Sequence, residues 1–329
     1  MNEPLAPVSL ESIRAPIAAD MQAVDAVIRC RLDSEVVLVR TIADYIIASG
    51  GKRLRPALVL LAANAVGANG EARHELAAVI EFIHTATLLH DDVVDESMLR
   101  RGRRTANAEF GNAATVLVGD FLYSRAFQMM VAVGNLRVMQ VLSNATNVIA
   151  EGEVLQLLNV HNPDTNEESY LRVIRYKTAK LFEAAMQVGA ILGDAPPAVE
   201  HALTEYGMHL GTAFQVIDDV LDYSGDLAET GKNLGDDLAE GKPTLPLIRA
   251  MQVGNAGERA LVRRAIEEGG KADLEAVVAA IVRTGALDYS RDRAREEAAI
   301  ATARIKAIAH SACKDSLLQL AHFSVERKY

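Results

Sequence analysis

Two stretches of this sequence place acidic side chains among residues that otherwise read as buried. In LLHDDVVDES, residues 88–97, Asp91, Asp92 and Asp95 interrupt a run of leucine and valine; in QVIDDVLDY, residues 215–223, Asp218, Asp219 and Asp222 do the same. Both read D-D-x-x-D. Residues four apart share one face of a helix, so Asp91 stacks on Asp95 and Asp218 on Asp222, with Asp92 and Asp219 beside them. Burying one unpaired carboxylate is costly, and burying several is worse. Either stripe alone also fits a solvated or ion-paired helix face. If the two helices face each other, a divalent cation must neutralise them. Magnesium suits this because it takes oxygen ligands, keeps several waters and completes its shell with substrate phosphates. A phosphohydrolase built on His84, His90 and Asp91 is the rival metal site. Six positions separate those histidines, which puts them on opposite sides of a helix and unable to grip one ion.

Basic residues follow where a phosphate would be met. LRRGRRT, residues 99–105, supplies Arg100, Arg101, Arg103 and Arg104, and GGKRLRP, residues 50–56, supplies Lys52, Arg53 and Arg55 ahead of Pro56. Arginine forks match phosphate oxygens bidentately. A basic loop leading into a helix that starts with proline is a ready anion site. Lys177, Lys232 and Lys242 are weaker signals, and each of these groups alone also reads as a solvated surface. Gln215, one turn before Asp219, is placed to orient a ligand. A metal cage with two separate basic patches points to two diphosphate groups.

The elements that must hold these residues read as helices, at about 9–32, 34–48, 56–66, 73–98, 107–133, 135–158, 167–192 and 197–223. Shorter ones follow at 243–252, 257–268, 272–285, 287–308 and 311–325. Turn chemistry separates them at 49–56, 67–70, 162–169 and 193–197. Residues 224–242 form the longest irregular stretch, rich in Gly and Asp, and a loop that long is often functional. No linker divides the chain, so one all-α domain is expected over 1–329, with 1–8 loose. Half the residues are apolar and the net charge is −10. That charge argues against a nucleic-acid partner or a permanent seat on an anionic membrane. Cys30 and Cys313 form neither a metal spacing nor a disulfide framework, which fits a reducing cytosol. The N-terminus lacks the pattern of a secretory signal, and no uncharged apolar run is long enough to span a bilayer. A cytoplasmic, soluble protein is expected.

The set GGKRLRP (50–56), EFIHTATLLHDDVVDESMLRRG (81–102), GEVLQL (152–157), KTAKLFEAA (177–185), GTAFQVIDDVLDY (211–223), GKNLGDDL (231–238) and GKPTLPL (241–247) resembles the trans-polyprenyl diphosphate synthases, and most of all the bacterial members that make octaprenyl chains. The resemblance implies an all-α isoprenoid-synthase bundle around a central cavity, usually a homodimer. It implies repeated condensation of an allylic diphosphate with isopentenyl diphosphate to a long product for a quinone side chain. Asp91 and Asp95 would ligate magnesium at the allylic diphosphate, and Asp218, helped by Asp219 and Asp222, a further ion, up to three in all. Lys52, Arg55, His84 and Arg101 would bind isopentenyl diphosphate. Arg100, Lys177, Thr178, Gln215 and Lys232 would contact the allylic diphosphate, with Lys177 and Lys232 aiding its ionisation. The lost proton goes, in this family, to the released diphosphate. A non-catalytic partner subunit would show eroded aspartate motifs, and both are intact here.

Chain length adds a further expectation. Each buried CH₂ stabilises the bound tail by about 0.8 kcal/mol, so affinity cannot end growth and a wall must. Ala86 and Thr87, one turn before Asp91, are small and leave the way open, with the floor deeper at Phe127 and Met130. A farnesyl- or geranylgeranyl-length synthase is the competing reading.

Overall fold

The structure, a computed structural model, describes residues 9–48, 51–100, 102–224, 234–270 and 272–327. Among them the only extended pairing is a two-residue ribbon, Leu99–Arg100 with Arg103–Arg104; nearly everything else that is regular is helical. The expectations about residues 1–8, Arg101 and Lys232 lie outside the described residues.

The chain forms two compact units, each discontinuous in sequence. The first takes Met1–Thr146, Leu181–Gly207 and Thr302–Phe323. Its centre is the helix Leu54–Ala65, which starts with Pro56 in its first turn and buries everything from Pro56 to Ala63. A helix apolar all round is buried all round. Gly189 approaches it so closely that a Cβ would stand 2.6 Å from the Ala62 methyl, so no larger residue fits. The helix Ala72–Val94 carries the first acidic stripe and packs against Asn112–Val133, where a Cβ on Gly119 would overlap His90.

The second unit takes Asn147–Lys180, Met208–Ala301 and Ser324–Tyr329. Tyr170, Ile174, Val216, Ile217, Leu245 and Ile248 form one of its cores, and Leu238, Leu247, Val262, Ile266, Val277 and Ile281 another. Each such side chain contributes about 1.5–3 kcal/mol when fully buried. The first core backs the second acidic stripe, on the helix Pro197–Ser224.

Several elements differ from the sequence reading for identifiable reasons. The helix expected to 98 ends at Val94: Asp95 N–H still bonds Asp91 O at 2.8 Å, but Glu96 has φ +50°, and the left-handed residue turns the chain away. The helix expected over 107–133 is broken at Gly111, φ +84°, into Ala106–Phe110 and Asn112–Val133. The one expected over 167–192 contains a π-helical turn, Arg175–Ala179, between Glu167–Ile174 and Lys180–Leu192. Within the irregular stretch, Asp236–Ala239 makes a short helix. One helix, Asn112–Val133, is long and apolar enough to cross a membrane, with 33% of its apolar window buried; Asp120 and Arg125 interrupt it. Both cysteines are free thiols.

Candidate active site

In the first unit the acidic stripe divides its work. Asp91 and Asp95 are half-buried at the end of their helix, whereas Asp92 is only 4% exposed. Burial raises the Asp92 carboxyl pKa, and the adjacent Arg100 guanidinium works against that rise. Arg100 reaches one Asp92 oxygen with Nε at 2.8 Å and with its terminal nitrogen at 2.7 Å. The carboxylate most costly to bury is thus compensated by the chain itself. Arg100 is aimed by the ribbon, which is tied down where Thr105 Oγ1 donates to Ser97 O (2.6 Å) and Asn107 Nδ2 donates to Asp92 O and Ser97 O (3.1 Å each).

The basic loop lies in the same unit. Arg53 occupies the N-cap of its helix with φ +42° and donates to Glu81 at 2.8 Å. Arg55 stands 2.9 Å from His84 Nε2, its guanidinium 4.7 Å over the Phe182 ring, so two residues assigned to one diphosphate are brought together. Lys52 is half-buried beside them in sequence. Arg53, His84, Thr85, Arg100 and Arg104 line a recess of about 60 Å³. His84 and His90 do not pair, since His90 Nε2 faces Val116 O at 3.2 Å.

In the second unit the stripe is engaged differently at each aspartate. Asp218 receives Arg327 at 2.6 Å, the guanidinium also donating to Phe214 O at 2.8 Å and lying 3.9 Å over the Phe214 ring. Asp222 accepts the backbone N–H groups of Asp236 and Asp237, 3.2 Å each, capping that short helix. Asp219 is buried, with Tyr170 OH donating to one oxygen (2.6 Å) and Gln215 Nε2 to the other (2.8 Å). Burial and the charge of Asp237 push its carboxyl up to about 8. Asp219 thereby anchors Gln215 and Tyr170, and each of its oxygens keeps a further lone pair. Gln215 in turn accepts from Thr178 Oγ1 at 2.9 Å, and Lys177 donates to Glu153 at 2.6 Å. Both Lys177 and Thr178 belong to the π turn. Gly152 lets a neighbouring helix approach it, since a Cβ there would stand 2.7 Å from Lys177 N.

Tyr170, Glu153 and Arg327 were not singled out from sequence. They meet their partners across 49, 24 and 109 residues, and no local spacing signals such pairs; the quoted motif GEVLQL holds Glu153 but gave it no role. Among the chain-length candidates, Ala86 and Met130 have essentially no exposed surface. Thr87 and Phe127 are half-buried, the Thr87 hydroxyl bonding His84 O at 2.8 Å.

Among the described residues, no three His, Cys, Asp or Glu side chains converge into a group able to hold a metal alone. The donors on offer are carboxylate oxygens, two or so at each stripe. That fits magnesium, which takes a few carboxylates and relies on phosphate and water for the rest. Asp91 and Asp95 suit it, and Asp218 already attracts a cation in Arg327.

Comparison with known proteins agrees with this chemistry. Residues 36–283 match the polyprenyl synthetase family. The octaprenyl diphosphate synthase of Escherichia coli (strain K12) is 54% identical over 320 residues, covering 97% of this chain and 99% of that one. The all-trans-nonaprenyl-diphosphate synthase (geranyl-diphosphate specific) of Rhodobacter capsulatus is 48% identical over 318 residues, covering 96% and 98%. A crystal structure of polyprenyl synthase from Caulobacter crescentus CB15, complexed with calcium and isoprenyl diphosphate, superposes with a TM-score of 0.95 at 43% identity, covering 99% and 100%.

Proposed function

The chain belongs to the polyprenyl synthetase family, and from that premise we propose that it condenses an allylic diphosphate with successive isopentenyl diphosphates to an octaprenyl-length, all-trans diphosphate for a quinone side chain. The observation that carries this reading is 54% identity, over 97% of the chain, to an octaprenyl diphosphate synthase, in a chain with the isoprenoid-synthase helical fold and with both aspartate stripes and both basic loops in its sequence. The relatives differ in the product their names give, octaprenyl and nonaprenyl, so the length itself is part of the proposal.

Each side chain then has a task. Lys52, Arg55, His84 and Arg101 bind isopentenyl diphosphate, and the Arg55–His84 contact supports that grouping. Arg100, Lys177, Thr178, Gln215 and Lys232 hold the allylic diphosphate. Asp91 and Asp95 would hold magnesium, and Asp218, helped by Asp219 and Asp222, a further ion, with Asp219 also positioning Gln215. Bound magnesium, up to three ions, would neutralise the departing diphosphate. Lys177 and Lys232 add positive charge at the same leaving group. The proton goes to the released diphosphate, so the step needs no dedicated side-chain base. Water must be kept from the carbocation, which suits the apolar residues flanking both stripes. The calcium and isoprenyl diphosphate of the Caulobacter structure support a divalent ion and a prenyl ligand.

We read the whole chain as one polyprenyl synthase domain, cytoplasmic, and paired with a second copy. Leu117 and Val131, 66% and 60% exposed on the apolar helix Asn112–Val133, support the pairing. No observation favours a phosphohydrolase or a short-chain synthase. Incubation with farnesyl diphosphate, isopentenyl diphosphate and magnesium tests the reading, with product length resolved by mass. Octaprenyl diphosphate is the expected product; phosphate release without chain growth would sink the proposal.

A further inference from the structure

Among the described residues, the π-helical turn Arg175–Ala179 carries two of the diphosphate-binding candidates, Lys177 and Thr178. Its defining bond runs from Lys180 N–H to Arg175 O, five residues back instead of four. One extra residue in a turn rotates everything beyond it by about 100° relative to an α-helix. The π turn therefore decides where Lys177 and Thr178 point. Such turns are rare, occur mostly as single turns inside α-helices, and recur at functional sites.

The residue whose carbonyl closes the turn is held from outside it. Arg175 donates to Glu297 Oε1 at 3.1 Å, while His209 Nδ1 lies 2.5 Å from Glu297 Oε2. Glu297 is 4% exposed and His209 8%. The Arg175 Nε is also buried and has no hydrogen-bond partner among the described residues, so the Glu297 bond is the one that orients this guanidinium. Burial alone would raise the Glu297 carboxyl pKa, but the contact with His209 and the Arg175 charge hold it below the ordinary value. A buried ionic group of this kind is a poor device for stability, because well-packed apolar residues often do as well or better. Its distinctive effect is to fix a register.

We propose that Glu297 is a positioning residue for the allylic diphosphate: through Arg175 it locks the π turn that aims Lys177 and Thr178. The inference rests on the prenyltransferase reading and adds a remote residue to that site.

The test uses the full-length protein, once the wild type has been shown to elongate farnesyl diphosphate. Arg175→Met is the primary variant, since Arg175 is 39% exposed at its side chain and its loss leaves Glu297 and His209 still paired. Small misplacements remote from the chemistry cost about ten- to a hundredfold. The expected result is a rise of that order in KM for farnesyl diphosphate, with KM for isopentenyl diphosphate within about twofold of wild type. Affinity for the non-ionising farnesyl thiodiphosphate in magnesium, measured by calorimetry, should fall in parallel. Arg175→Lys should recover part of the loss, and Glu297→Gln should reproduce it. Combining Arg175→Met with Lys177→Ala should lose clearly less than the sum of the two single losses, because part of the Arg175 effect acts through Lys177 and only the Thr178 part remains. Losses that add in full, equal effects on both substrates, or a folded Arg175→Met variant with wild-type allylic binding would each overturn the proposal.

Discussion

At the scale of single residues, the two stripes have different partners, and that difference is measurable. Chelation should abolish elongation and magnesium restore it, and Asp91→Ala and Asp218→Ala should each lose orders of magnitude in turnover. Their apo stabilities should diverge. Removing Asp91 relieves repulsion from Asp92 and Asp95 but also takes a favourable charge from Arg100, so that variant should lose less stability than the Asp218 one. Removing Asp218 takes an acceptor from Arg327, whose side chain is 2% exposed, and should destabilise by about 1–3 kcal/mol. Denaturant melts in chelator decide this; near wild-type turnover in either variant would remove its stripe from the chemistry. The basic residues make a second prediction. Lys52→Ala should weaken isopentenyl diphosphate and Lys177→Ala the allylic substrate, each by about ten- to a hundredfold, as expected for a charge-assisted contact of about 1.5–3 kcal/mol. Equal effects of both variants on both substrates would mean a shared anion site.

At the scale of elements, the helix carrying the first stripe is fixed by contacts remote from it. Asp20, on the helix Ala18–Arg31, accepts from Asn64 and Arg73 at 2.9 Å and lies 2.8 Å from His74 Nε2, tying three helices together. Burial opposes its charge, but the hydrogen bonds from His74, Asn64 and Arg73 outweigh that and hold the carboxyl down at about 2. A depressed carboxylate stabilises fully above its unfolded pKa of about 3.9. That stabilisation is lost as pH falls through the folded value. Asp20→Asn should therefore melt lower than wild type at pH 6, with the gap closing as pH approaches 2; a gap independent of pH would mean packing, not charge. The same helix sets the chain-length test. Ala86→Phe places bulk at a fully enclosed position and should destabilise by about 1–3 kcal/mol. The product should shorten to about three or four units, because the block would lie roughly 7.5 Å of helix from Asp91. Thr87→Phe, at a half-buried position, should be better tolerated. Active variants of both that still made the wild-type length would place the tunnel elsewhere.

At the scale of the whole molecule, the apolar face of Asn112–Val133 is one feature that a single chain leaves uncovered among the described residues. Leu117 and Val131 are 14 positions apart, close to four turns, and both are exposed. Leu117→Glu combined with Val131→Glu should convert a dimer to a monomer in sedimentation velocity. An unchanged mass would assign the pairing to another surface.

The sequence by itself determined the helical class, both acidic stripes and the two basic loops, because these are local: four-residue spacing and a run of like side chains define them. It also placed Arg55 and His84 in one substrate's group, through family resemblance. It did not reveal that Arg100 answers Asp92, that Asp219 turns inward to Tyr170 and Gln215, or that Arg327 comes back to Asp218. Nor did it show the π turn or its grip by Glu297, whose partner Arg175 is 122 residues away. Those pairings depend on which side chains the tertiary structure brings within hydrogen-bonding distance once each buried charge must find a partner, and nothing in local spacing encodes that choice.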